Sequence, residues 1–289
     1  MFKGKLLSLS TLFIALISSV QSAIHYNQGG SDWTGTCATG KSQSPVDIPV
    51  DNISGSSINS KYFRSNKLLD IMVSQKSMSN ITLQDNIYTY QYSFSDGYLA
   101  FWDENDSLQT FQLLQFHVHA PSEHTFNGQY YDVEVHFVHK HTTENRLVAF
   151  SVLFDTKAGG DKENEFIKSM SVGAQNQSVI STLPAMNLFK KLDMNQLYHY
   201  EGSLTTPPCN EIVSWIIVHD PQQISSAQVK AFNDKWKNNQ TFAAGKGNNR
   251  GIQNLNQRLI YKKDDPRASN GVNLIASILP LFVLLFGFF

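Results

Sequence analysis

Gln115-Phe116-His117-Val118-His119-Ala120-Pro121-Ser122-Glu123-His124, read together with Glu134-Val135-His136, decides how the rest of the 289-residue chain is read. In an extended strand alternate side chains share a face, so His117 and His119 project to one side. Glu134 and His136 stand in the same relation on a second strand. Phe126-Asn127-Gly128-Gln129 reads as a short turn between them, which makes the strands antiparallel neighbours. Three imidazoles then converge on one point. Three neutral nitrogen ligands with one open position form the donor set of a catalytic zinc site. A lone His-x-His pair is more often ordinary polar decoration. The third histidine, the Glu-x-His repeat and the nearby carboxyl and amide groups point to a metal instead.

Outward from this pair the pattern is mainly β. Ile87 to Phe94 alternates cleanly, and Asp96-Gly97 marks a turn into a strand over Tyr98 to Trp102. Asp103 to Asp106 is an acidic loop. Leu147 to Phe154 reads as a continuous apolar run, hence a strand buried on both faces, and Ile212 to Val218 reads likewise. Helical spacing appears over Asn164 to Ser171 and Ser225 to Asn238. Ile24 to Gly40 is an irregular N-terminal wrap anchored by Tyr26 and Trp33, and Ser44 to Asn80 alternates short apolar runs with turns. No repeat or linker interrupts the middle. The expectation is one mainly β (α+β) domain over residues 23–265, with short peripheral helices around a central sheet.

The net charge of -1, with both signs interspersed, gives no footprint for nucleic acid. The ends differ from the body. Residues 1–22 have a basic start, an apolar run and small residues before Ala23, the pattern of a secretory signal peptide; a retained anchor is the alternative. Residues 266–289 join small residues to an uncharged apolar tail, which matches a lipid-anchor (GPI) attachment signal, with a tail-anchored span as the rival. Either way the chain is expected at the extracellular face of a membrane. Five Asn-x-Ser/Thr triplets, at Asn52, Asn80, Asn105, Asn176 and Asn239, fit a glycosylated surface. Cys37 and Cys209 are the two cysteines, and an oxidising compartment permits one disulfide between them. Two unrelated buried thiols are the other reading.

The His-x-His stretch, Glu134-Val135-His136 and Gly202-Ser203-Leu204-Thr205-Thr206-Pro207-Pro208-Cys209 closely resemble the α-class carbonic anhydrases. Gln43-Ser44-Pro45-Val46-Asp47-Ile48, Asn248-Asn249-Arg250, Gln253, Leu255, Asn256 and Arg258 extend the resemblance from about Tyr26 to Tyr261. It implies a twisted, mostly antiparallel ten-stranded sheet. It also implies reversible hydration of carbon dioxide to bicarbonate and a proton by zinc-hydroxide attack. Carried over residue by residue, the zinc ligands are His117, His119 and His136. Gln115 orients His117, Glu134 orients His136, and the Asn248 carbonyl orients His119. Thr205 accepts a hydrogen bond from the hydroxide and passes its own proton towards Glu123. His25, His124, His139, His141, His199 and His219 are read as structural or surface residues.

By the same resemblance Val138, Ala149, Leu204, Val213 and Trp215, with Thr206, wall the carbon dioxide pocket. Ala149 is smaller than the valine common in the animal enzymes, so a roomier pocket and a weak ester-cleaving side activity are expected. Tyr88 falls where fast members carry a proton-shuttle histidine. A free tyrosine titrates near pH 10, so proton export is expected to depend on buffer or on waters held by Tyr26, Asn86 and Gln91. The class-distinct alternative is a carbonic-anhydrase-like surface binding module that keeps the fold without the chemistry. Inactive relatives typically lose one or more of the three histidines, and all three stand here.

Overall fold

The computed structural model describes residues 24–50, 81–86, 88–93, 97–102, 107–172, 179–180, 183–194 and 196–263. Residues 1–22 and 266–289, expected above to be a signal and an anchor segment, lie outside the described residues, as do Asn52, Asn80, Asn105, Asn176, Ile87, Phe94, Asp96 and the acidic loop. In chain order the elements are α1 (Thr36–Thr39), β1 (Asp47–Ile48), β2 (Ile81–Asn86), β3 (Thr89–Ser93), β4 (Tyr98–Trp102), β5 (Leu108–His119), β6 (Thr125–Phe126), β7 (Val133–His141) and β8 (Leu147–Asp155). Then come α2 (Glu165–Ser169), β9 (Val179–Ile180), α3 (Ala185–Phe189), β10 (Leu197–Gly202), β11 (Val213–Val218), β12 (Gln222–Gln223), α4 (Ser226–Lys235), α5 (Gln240–Ala243) and β13 (Tyr261–Lys262).

One large mixed sheet organises the chain, in the order β13-β10-β11-β8-β7-β5-β3-β2-β9, with β12 beside β8 and β4 beside β5. Its eleven strands include the two-residue β9, β12 and β13. β1 and β6 form a separate two-stranded parallel sheet. Within the large sheet, among the described residues, β8 alone pairs in parallel, with β11 and β12, and the other pairings are antiparallel. This is the mainly β, mostly antiparallel sheet expected from the sequence. The helices are short and capped by the residues their sequences offer. Asn164 accepts from the amides of Phe166 and Ile167, and Ser225 forms a capping box with Gln228.

Three features of the sheet position the site. First, β5 and β7 are antiparallel neighbours with His117 opposite His136. The tight turn at Asn127 and Gly128, both with positive φ, is only the tip of their connection, which also carries the strand β6. Second, the β5–β7 register shifts between Leu113 and Gln115, a bulge that leaves Leu114 exposed. The extra residue changes the phase of β5. Phe111 and Leu113 before it, and Phe116 and Val118 after it, therefore all enter the same apolar core. Gln115, His117 and His119 are left on the opposite face. Third, β8 is buried from Val148 to Asp155, as expected for a strand covered on both sides. From Leu147 to Phe154 the strand is apolar except at Ser151, which stands opposite His136.

Tyr26 and Trp33 do anchor the N-terminal wrap. Tyr26 is fully buried, packs edge-on against Trp33 and Phe242, and its amide donates to the Phe242 carbonyl. Cys37 and Cys209 are joined in a disulfide across 172 residues, which ties this wrap to the loop that carries Thr205.

Candidate metal centre

The rings of His117, His119 and His136 stand with centroids 4.7–5.1 Å apart. One nitrogen of each lies within 4.8 Å of the others. Each outer nitrogen is engaged elsewhere. His117 Nδ1 meets Gln115 Oε1 at 2.9 Å, His119 Nδ1 meets the Asn248 carbonyl at 2.8 Å, and His136 Nε2 meets Glu134 Oε1 at 2.7 Å. These partners are a carbonyl or carboxylate oxygen, so the ring nitrogens must donate to them. In the neutral rings the inner nitrogens are then bare lone pairs. His119 Nε2 is buried without a hydrogen-bond partner, and His136 Nδ1 faces His117 Nε2 at 3.3 Å.

Electrostatics keeps the rings neutral. Burial, then the neighbouring His119 and His136, holds His117 well below the ordinary histidine range. Burial lowers His119 to about 4 and also lowers His136. Three inward lone pairs repel one another, and a cation between them removes that conflict. The donor set fits a nitrogen-binding divalent metal with an open position.

Glu134 is the hub behind the site. Burial alone would raise its pKa, but its electrostatic interactions and hydrogen bonds with His124 and His136 hold it well below the usual carboxylate range. Its Oε2 accepts the amides of Glu123 and His124 at 2.7 and 2.8 Å. Its Oε1 accepts from His136, from His124 Nδ1 at 2.7 Å and from Ser151 Oγ at 2.6 Å. His124, Glu134 and His136 form a second close group of donor atoms. There the carboxylate already sits between two N–H donors, so this is a hydrogen-bond network rather than a second cation site. His124 continues it to the Tyr200 hydroxyl, 2.7 Å away.

Glu123 lies 3.4 Å from His119 Nε2 and accepts the Arg250 amide at 2.9 Å. Burial raises its pKa to about 7, against the opposing effects of His136, the Thr205 hydroxyl and the Arg250 amide. The Arg250 guanidinium holds Gln43 Oε1 and the carbonyls of Ser44 and Cys37. Its backbone is thereby pinned against Glu123. Thr205 is buried in a loop braced by a Leu204 amide bond to the Asn210 carbonyl and a Cys209 amide bond to the Thr206 carbonyl.

A cavity opens onto the three histidines, lined by both apolar and polar residues. Its lining includes the apolar Val138, Ala149, Leu204, Val213 and Trp215 and the polar Tyr26, Tyr88, Thr89, Gln91, Gln115, Thr205 and Thr206. The structure thus brings together nearly every residue singled out in the sequence. Asn86 ends β2 opposite Thr89, and its side chain lies outside the described residues. Asn239 caps α5 through its side-chain oxygen and is exposed. His124 and His139 are fully buried, so of the two readings for them the structural one holds. Sequence reasoning assigned no role to Thr89, whose hydroxyl donates to the Val118 carbonyl at the cavity wall, to the Arg250 clamp or to Ser151. A lone hydroxyl in an apolar strand was the available signal for Ser151.

The family model for eukaryotic-type carbonic anhydrase matches residues 28–264. A carbonic anhydrase of Neisseria gonorrhoeae is 32% identical over 226 residues, which cover 78% of this chain and 79% of the relative. Alpha carbonic anhydrase 7 of Arabidopsis thaliana is 29% identical over 231 residues, covering 78% and 75%. Among solved structures, carbonic anhydrase Cah3 from Chlamydomonas reinhardtii in complex with acetazolamide aligns with a TM-score of 0.64 at 28% identity, covering 81% of this chain and 96% of that one. Dioscorin complexed with ascorbate shares the fold, with a TM-score of 0.62 at 22% identity.

Proposed function

From the premise that this chain belongs to the eukaryotic-type carbonic anhydrase family, and is a carbonate dehydratase, we propose that it hydrates carbon dioxide reversibly at a zinc centre held by His117, His119 and His136. The observation that carries this reading is the set of three inward lone pairs, each fixed by an outer hydrogen bond. Zinc bound there supplies a Lewis acid that brings the pKa of a water to about 7.

The chain's own residues do the rest. Glu123, held by the Arg250 amide, accepts a hydrogen bond from the Thr205 hydroxyl, which turns the Thr205 oxygen's lone pairs towards the attacking nucleophile and orients it. The Thr205 amide is proposed to steady a substrate oxygen. Carbon dioxide carries no net dipole, so it waits against Val138, Ala149, Leu204, Val213 and Trp215, where it displaces only weakly held water. The product proton leaves past the polar lining residues Tyr88, Gln91 and Tyr26. Tyrosine exchanges protons poorly at neutral pH, so Tyr88 makes export the slow step when buffer is scarce.

The surroundings of the enzyme belong to the same proposal. Residues 1–22 direct export, residues 266–289 direct attachment to a membrane lipid, and Asn239 carries a glycan on its free side-chain nitrogen. The terminal apolar tail lies outside the described residues, among which no helix is long and apolar enough to cross a membrane. A phospholipase specific for glycolipid anchors should release the protein from intact cells; retention would favour a tail helix.

The binding-module reading draws on the fold that dioscorin, solved with ascorbate, shares. The complete histidine set and the Thr205–Glu123 pair favour catalysis. Carbon dioxide hydration by residues 23–265 loaded with zinc tests the choice. A rate abolished by His119→Ala supports the enzyme, whereas a folded, zinc-loaded protein without hydration would remove it.

A further inference from the structure

We propose that Ser151 is a positioning residue that tunes how firmly His136 holds the metal, by competing with His136 for one oxygen of Glu134. The proposal rests on the zinc reading given above. Ser151 lies on β8 directly opposite His136 on β7, so its side chain meets the outer end of that histidine's own partner. Its hydroxyl donates to Glu134 Oε1 at 2.6 Å. The same oxygen accepts from His136 Nε2 and His124 Nδ1, each at 2.7 Å. Glu134 Oε2 takes two backbone amides. Every residue in this group is fully buried, so no solvent supplements the network.

Five donors on one carboxylate exceed its four lone-pair sites. The negative charge of Oε1 is divided among three donors, and each bond is weaker than it would be with fewer competitors. Removing Ser151 Oγ leaves the orientation of Glu134 intact, because both backbone amides and His124 still fix it. What changes is the share of charge that reaches the His136 N–H. With a stronger pull on that proton the ring becomes a better donor at Nδ1, and the ion is held more tightly. Ser151 therefore makes the third ligand a weaker base than its carboxylate partner alone would make it. A hydroxyl inside the otherwise apolar stretch from Leu147 to Phe154 has this one evident use.

The experiment compares wild type with Ser151→Ala, both zinc-loaded and labelled with nitrogen-15 in histidine. The substitution deletes one oxygen and leaves Glu134 with four donors, so no buried acceptor is stranded. The expected result is a downfield movement of the His136 Nε2–H proton, while the Nδ1–H protons of His117 and His119 stay in place. Zinc release to a chelator should slow by about threefold or more, short of the roughly 10–100-fold scale for losing a whole outer partner. An unmoved or upfield-shifted His136 proton, or faster zinc release, overturns the proposal. Zinc content of the wild type is determined on the same samples. Absence of zinc would sink the metal reading itself, whereas the proton shift still reports the shared hydrogen bond.

Discussion

His139→Leu should remove much of the acid sensitivity of this fold. His139 lies on β7 between Leu113 of β5 and Val148 of β8, fully buried, with neither ring nitrogen in a hydrogen bond of good geometry. Burial pushes its pKa down to about 4, partly offset by the nearby carbonyls of Phe137 and Val148. In the unfolded chain it returns to about 6.5. Between those values the unfolded state binds a proton that the folded state refuses, so stability falls as the pH drops. The loss begins near pH 6.5 and is complete below about pH 4. A difference of about 2.5 units corresponds to about 3 kcal/mol, of which about 2 kcal/mol has gone by pH 4.5. Urea unfolding of both proteins at pH 7 and pH 4.5 measures it. The variant should lose about 2 kcal/mol less than the wild type over that interval. Parallel losses would mean instead that His139 is protonated in the native state or finds a partner there.

Cys37→Ser with Cys209→Ser opens a 172-residue loop and should cost about 5 kcal/mol in the loop-entropy account, read as a lower urea midpoint. Tyr88→His places a group titrating near neutrality at the cavity mouth, and should raise the hydration rate at low buffer while leaving the rate at high buffer nearly unchanged. A wild-type rate independent of buffer concentration would already contradict the role given to Tyr88. Ala149→Val narrows the apolar wall and should reduce turnover of a small aryl ester more than hydration of carbon dioxide. Absence of any ester turnover in an active wild type would remove that idea.

The parts of the site that were legible in sequence are those for which chemistry fixes residue type and spacing together. His117 with His119, and Glu134 with His136, declare a shared face through the period of a strand, and Gln115 falls on the same face two residues earlier. Asn248 was reached only through resemblance, since a backbone carbonyl has no side-chain signature; its bond to His119 spans 129 residues. The bulge at Leu114 was illegible for another reason. Nothing in Leu113-Leu114-Gln115 differs locally from a regular strand, and only the need to keep both halves of β5 facing one core reveals it. Ser151 and Arg250 act across 17 and 127 residues, on partners that the sheet alone brings near. β10 escaped notice because His199 and Glu201 break its apolar run, although all but Glu201 are buried.

The convergence of three inward nitrogens on one ion is tested most directly by X-ray absorption at the zinc edge of the loaded protein. The account expects a four-coordinate shell of three imidazole nitrogens and one light atom, at about 2.0–2.1 Å. His119→Ala should lose one imidazole from it. A shell with fewer than three imidazoles in the wild type, or one unchanged in the variant, would contradict the account.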